Sequence, residues 1–253
     1  MIFRQLVEPQ SSTYTYLLAC SETGEAVLID PVADTVDRDL ALVGELGVVL
    51  KLTLETHIHA DHVTGAARLR QETGCRAAVP EKSAAGHADL LVREGQPVQV
   101  GELVIEPLYT PGHTDDHHAY VVRQPEGARV FTGDALMIDG CGRTDFQNGN
   151  PATLYRSVHE KILTLPDDTL VYPGHDYQGR RVSTVAQERA RNPRLGGGKT
   201  VDEFVVIMNG LNLPRPQKMD VAVPANRECG EMQSVRLGGL EPVVEIATYQ
   251  PRQ

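Results

Sequence analysis

Short apolar runs recur along the first half of the chain, each stopping at a turn former or a charge: TYTYLLAC at 13–20, EAVLID at 25–30 and LKLTLET at 50–56. Runs of this length, rich in β-branched and aromatic residues, predict strands of a buried sheet. VDRDLALVGELG and TGAARLRQETG keep helical spacing between and after them, and each closes on a glycine, the usual stop signal of a helix. Strand and helix therefore alternate. The second half repeats the theme. LVIEPLYT, HHAYVVRQ, ARVFTGD and TLVYPGHD predict strands, and NPATLYRSVHEKILTLP predicts a helix with Asn150 at its cap and Pro151 in its first turn. The halves share a plan without a residue-level repeat. From about residue 178 the pattern turns helical (VSTVAQERARNP, VDEFVVIMNGLNLP) and then proline-punctuated, with no low-complexity linker. The expectation is an α/β protein with one catalytic domain over residues 1–230, helical from about 178, and a tail at 231–253 without identifiable chemistry.

Composition narrows the function. A chain of 253 residues, 41% of them hydrophobic, is long enough for one full core. Its 34 acidic against 24 basic side chains give a net charge of -10, which repels phosphate backbones unless basic residues concentrate in one patch. The densest basic group, Arg180, Arg181, Arg189, Arg191 and Arg194, falls in a stretch that reads as helix with Glu188 among them, so a solvated helix face is expected and no nucleic-acid partner. The opening MIFRQLVEPQ lacks the apolar core of a signal peptide, and no run approaches the ~20 apolar residues that cross a bilayer. No membrane association is expected. Cys20, Cys75, Cys141 and Cys229 show no paired spacing, which suits free thiols in a reducing, cytoplasmic setting. An exposed apolar face on the helical carboxy-terminal part would suit a homodimer.

The chemistry sits at strand ends. THIHADH follows LKLTLET and puts His57, His59, Asp61 and His62 on one loop at a strand's carboxyl end, where α/β folds assemble their sites. Imidazoles and a carboxylate gathered this way need hydrogen bonds or a metal to offset desolvation, and a metal satisfies them together. Three further segments repeat the placement: PGHT with His113, TGD with Asp134 and PGHD with His175. Gly112, Gly133 and Gly174 stand beside these ligands and let the backbone turn close to the site. His87, His117, His118 and His159 lack this context and read as surface or packing residues.

In this order, HxHxDH followed by a histidine, an aspartate and a histidine, the chain resembles the metallo-β-lactamase superfamily, which implies an αββα sandwich. The run GDALMIDGCGRTDFQNGNPATLYRSVHEKILTLPDDTLVYPGHDY is similar to two glutathione-handling branches, the hydroxyacylglutathione hydrolases and the persulfide dioxygenases. Both retain all seven ligand-type residues, the hydrolases for two metals and the dioxygenases for one iron. GRTDFQ departs from the hydrolases' GR-aromatic-Glu-Gly pattern, while NPRL, EFVVIMNGLNLP and AVPANRECG are similar to the dioxygenase tail. The resemblance thus favours the dioxygenases, with the binuclear hydrolase as the alternative.

It implies one Fe(II) per chain on His57, His113 and Asp134, a two-histidine, one-carboxylate face that leaves positions open for reactants. His59, Asp61, His62 and His175 would orient ligands and water, or hold a second metal. The reactants would be glutathione persulfide and molecular oxygen, the products sulfite and glutathione. Arg143 and Arg194 would meet glutathionyl carboxylates, Arg143 alternatively holding its own loop. Tyr177 would donate a hydrogen bond into the site or simply pack, and Cys229 would present a thiol near it.

Overall fold

Strands that are apolar at every position need cover on both faces. A computed structural model describing residues 1–231 shows how this chain supplies it. One sheet runs β1 (Ile2–Glu8), β2 (Thr13–Ala19), β3 (Glu25–Ile29), β4 (Val49–Leu54), β5 (Arg76–Pro80), β6 (Leu90–Val92), in that spatial order. The other comprises β7 (Val98–Val100), β8 (Leu103–Tyr109), β9 (His118–Gln124), β10 (Gly127–Gly133), β11 (Leu170–Pro173) and β12 (Ser183–Thr184), again in chain order across the sheet. Pairing is antiparallel along β1–β3, parallel from β3 to β6, and antiparallel in the second sheet except for the parallel β10–β11 pair.

Side-chain alternation sorts the layers. Tyr14, Tyr16 and Leu18 of β2 and Val27 and Ile29 of β3 meet Tyr120, Val122 and Phe131 of the second sheet in the central core. Leu17, Ala19, Ala26 and Leu28, on the opposite face, pack with Val36 and Val43 of α1 (Val36–Leu46) and Leu69 of α2 (Ala66–Thr73). The second sheet turns Ala119, Val121, Val130 and Val171 outward against α3 (Pro151–Ser157), α4 (Val185–Arg191) and α5 (Val201–Asn209). The result is the expected αββα sandwich. The last helix among the described residues, α6 (Met219–Arg227), lies near the loop that follows β4.

Several expectations need correction. The long helix after Asn150 is α-helical only to Ser157 and continues as a π-turn, Val158–Ile162, although Asn150 does cap it by accepting from Thr153 N. Residues 178–184 are not helical: Ser183–Thr184 form strand β12, and α4 starts at Val185. Arg180 and Arg181 therefore precede the helix, and Glu188 is wholly buried, accepting from Ser183, Asn192 and Asp139 N, rather than lying on a solvated face. Of the tail, Glu231 bonds Arg70, and residues 232–253 lie outside the described residues. Among the described residues no helix is long and apolar enough to cross a membrane.

Candidate metal centre

Four strands deliver the site at their carboxyl ends: β4 leads to His57, β8 to His113, β10 to Asp134 and β11 to His175. One ligand atom each of His57, His113 and Asp134 lies within 4.8 Å of the others, and His59, Asp61 and His62 form a second such group. The rings crowd together, with centroids 4.1 Å apart for His57 and His59 and 4.8 Å for His57 and His113.

Hydrogen bonds fix which nitrogen of each ring is free. Thr56 Oγ1 donates its one proton to Asp30 Oδ2, so it must accept from His57 Nδ1, 2.9 Å away, which leaves His57 Nε2 with a lone pair. His113 Nδ1 donates to the Arg143 carbonyl at 2.7 Å, leaving its Nε2 free, 3.5 Å from Asp134 Oδ2. His175 Nδ1 holds Asp134 Oδ1 at 2.7 Å. Two imidazole lone pairs and one carboxylate oxygen thus converge, each anchored from behind, as metal ligands need. His59 Nε2 faces Asp30 Oδ1 at 3.1 Å, and its buried Nδ1, like the buried Nε2 of His62, has no partner. Orphaned buried nitrogens of this kind fit a cation as the absent partner. A trio of two histidines and one carboxylate suits iron, and histidine with carboxylate also suits zinc or manganese.

The electrostatics agree. Burial, reinforced by the neighbouring imidazoles of His59 and His113, pushes His57 well below the ordinary histidine range, which favours the neutral ring that a metal ligand requires. Burial would raise Asp134, but the charge and hydrogen bond of His175 outweigh it and hold the carboxyl below its usual range. His175 itself would be pushed down by burial. The carboxylates of Asp134 and Asp61 on its two ring nitrogens hold it well above its ordinary value instead.

His117 corrects the sequence reading. It is fully buried and stacks on His57 at 5.0 Å, and its Nε2 accepts from the backbone N–H of Asp134 at 3.1 Å while Nδ1 faces Thr110. Thr13 was also missed: its buried hydroxyl lies 3.1 Å from both Asp61 Oδ2 and His175 Nε2. Asp116 is a third, accepting from Ile58 N at 2.9 Å. Of the other histidines, His118 is buried and His159 stacks on Tyr155, as packing residues do, while His87 is exposed. The glycines act as expected. Gly133 takes φ +48°, and a Cβ there would stand 2.5 Å from His117 Nε2, while one on Gly174 would stand 2.7 Å from Asp134 Oδ1.

A cavity of about 590 Å³ opens onto Asp61, His113, Asp134 and His175. Its walls include Met137, Ile138 and Phe146 and, from the carboxy-terminal part, Arg194, Leu213 and Pro214. Arg143 lines it with its guanidinium committed to Asp145 and to the Pro214 carbonyl. Arg194 bonds the Cys141 carbonyl through Nη1. Tyr177 stands at the cavity, 75% exposed, its ring parallel to that of His175. Cys229 is not brought to the cavity: it is buried among Ala66, Ala77 and Val79, with its thiol on the Gly86 carbonyl, and burial pushes it up to about 12.

Residues 9–175 match the family model described as the metallo-β-lactamase superfamily. Over 231 residues the chain is 51% identical to the human protein named persulfide dioxygenase ETHE1, mitochondrial, covering 91% of this chain and 89% of that protein. The crystal structure of ETHE1 from Myxococcus xanthus superposes with a TM-score of 0.87 at 53% identity, over 91% of this chain and all of that one. A hydroxyacylglutathione hydrolase from Rhodopseudomonas palustris is 38% identical over 184 residues, covering 72% of this chain and 69% of its own length.

Proposed function

Because this chain belongs to the metallo-β-lactamase superfamily, on its persulfide dioxygenase branch, we propose that it oxidises glutathione persulfide with molecular oxygen at a single ferrous ion. The observation that carries this reading is the convergence of His57 Nε2, His113 Nε2 and an Asp134 oxygen beside a cavity partly walled by the chain's own carboxy-terminal segment. Bound there, ferrous iron would supply the one-electron chemistry that lifts the spin barrier between oxygen and a singlet sulfur compound.

The protein's own groups bind and orient. Arg194, whose Nε and Nη2 have no partner among the described residues, offers a fork for a glutathionyl carboxylate. Arg143, with its donors on Asp145 and Pro214, shapes the wall and contributes charge from there. Tyr177 lends its exposed hydroxyl at the cavity. Asp61, held in register by His175 and Thr13, would orient the water that cleaves the sulfur–sulfur bond. Persulfide, oxygen and water yield glutathione, sulfite and two protons. The two sulfurs together give up the four electrons that reduce oxygen. We place the protein in a reducing aqueous compartment, the cytoplasm, on its four buried free cysteines.

The test is anaerobic loading with ferrous iron, then oxygen uptake and sulfite release on adding glutathione persulfide, with metal counted per chain. Uptake tied to sulfite at about one iron per chain, absent from the zinc form and from His113→Ala, is the expected result. The group of His59, Asp61 and His62 favours one second reading. Two metals per chain with cleavage of an acyl-glutathione thioester and no oxygen uptake would replace the dioxygenase with a hydrolase.

A further inference from the structure

The metal loop from His57 to Thr64 has almost no regular secondary structure, so its inward carbonyls need partners from elsewhere. Gln147 Nε2 serves Ile58 and Ala33 N serves Val63, and Asn226, far along the chain in α6, serves two more. Its Nδ2 donates to the carbonyls of His59 at 2.9 Å and His62 at 2.8 Å, and its Oδ1 accepts from Thr64 N at 2.8 Å. The side chain is buried, and every hydrogen bond an asparagine amide can most readily make here goes to this one loop. We propose that Asn226 is a positioning residue of the metal centre, holding the loop so that the unpartnered Nδ1 of His59 and Nε2 of His62 face inward.

Three observations separate this role from ordinary packing. First, α6 has Pro224 inside it and no side-chain cap at its start, so it owes its place to tertiary contacts. Second, its end is fastened. Gly86 N donates to the Arg227 carbonyl at 2.7 Å, the Cys229 thiol reaches the Gly86 carbonyl, and a Cβ on Gly230 would stand 2.6 Å from the Thr64 carbonyl. Third, the same loop is tied to the histidine from its other side, because Thr64 Oγ1 donates to Glu55 Oε1 while Glu55 Oε2 lies 3.6 Å from His59 Nε2. The helix end, the loop and the ring are thus one connected unit. No other side chain of similar size matches it: aspartate turns an oxygen toward two carbonyls, serine has one donor, and glutamine is longer by a methylene.

The inference rests on the metal-centre part of the function proposed above, not on iron or persulfide. Cobalt(II) is the probe, its affinity for the metal-free full chain read by chelator competition and its visible spectrum recorded for Asn226→Asp. Ala222→Gly, a buried change on the same helix, is the control for mere destabilisation. The expected result is an affinity about 10- to 100-fold weaker for Asn226→Asp with an altered cobalt spectrum, as for other groups that orient ligands. Ala222→Gly should keep both while losing comparable thermal stability. Asn226→Ser, which retains a donor and an acceptor, should fall between, and it decides the matter alone if the aspartate variant does not fold. Unchanged affinity in the Asn226 variants, or losses that merely track melting temperature across all three, would overturn the proposal while leaving the metal centre intact. A wild-type chain that binds no cobalt would remove the metal reading and this one with it.

Discussion

At the scale of single residues, the centre depends on side chains that carry no motif. His117 lends its Nε2 to the N–H of Asp134, so His117→Phe, which keeps a buried ring but no acceptor, should weaken metal binding about 10- to 100-fold with modest loss of stability; chelator titration checks it. The ligand-type residues were legible because HxHxDH and three glycine-flanked strand ends repeat one placement. Thr13, Asp30, Asp116 and His117 were not, because each acts through a partner distant in sequence, such as Thr13 with His175, 162 residues away. The second histidine of the HH pair was a weak cue. It drew attention to neither residue, although His117 stacks on His57 and serves the N–H of Asp134 at the candidate centre. Away from the site, burial pushes Asp39 up to about 6 despite the adjacent Arg38, and its Oδ2 has no partner. A carboxyl raised in the fold binds its proton more tightly there than in the unfolded chain, so it favours folding below the unfolded value near 3.9 and loses that contribution as pH rises through about 6. Asp39→Asn should therefore raise the melting temperature at pH 7.5, by up to about 3 kcal/mol in stability, and the gain should shrink towards pH 5. A pH-independent difference between the two melting curves would count against this.

At the scale of elements, close approach decides which changes are tolerated. The turn after Asp134 passes so near the ligands that a Cβ on Gly142 would stand 2.7 Å from His113 Nδ1 and 2.6 Å from the Asp134 carbonyl. Gly142→Ala should cost metal and activity together while far-ultraviolet circular dichroism stays near wild type; a fully loaded, active variant would contradict the geometry. The β12–α4 corner hangs on Glu188, which serves Ser183, Asn192 and Asp139 N. Glu188→Ala removes the acceptor of Ser183 Oγ, Asp139 N and one Asn192 amide proton and should lower stability by about 3 kcal/mol, measured by urea unfolding. The strands that read clearly are those, like β2 and β3, whose two faces are both buried and whose sequence is mostly apolar and β-forming. β6 and β7, three residues each, are too short to show a period. Residues 178–184 looked helical because VSTVAQERARNP contains a helix, while Ser183 and Thr184 pair with β11 before it begins. α6 was hidden by Pro224.

At the scale of the whole molecule, the centre straddles the sandwich. His57 comes from the first sheet, His113 and Asp134 from the second, so a bound ion ties the two sheets at one end. Metal present at about 100 times its dissociation constant should add about 2.7 kcal/mol to stability, and chelation should lower the melting temperature accordingly. Identical melting with and without chelator would mean that the ion does not hold the sheets. The alternation of strands and helices told the class of fold, but not that β2 also reaches the far side, where Tyr14 N donates to the Gly174 carbonyl. That contact is set by how two twisted sheets face each other, which no local pattern encodes. The strand order carries one more consequence, for how the protein is made. Both sheets fill in chain order, so a growing polypeptide completes the histidine loop of the first sheet long before His113, Asp134 and His175 emerge, and Asn226 comes last of all. A nascent chain therefore exposes His57, His59 and His62 with half a cage around them, and secure capture of the ion waits until Asn226 has emerged and folded back onto the loop.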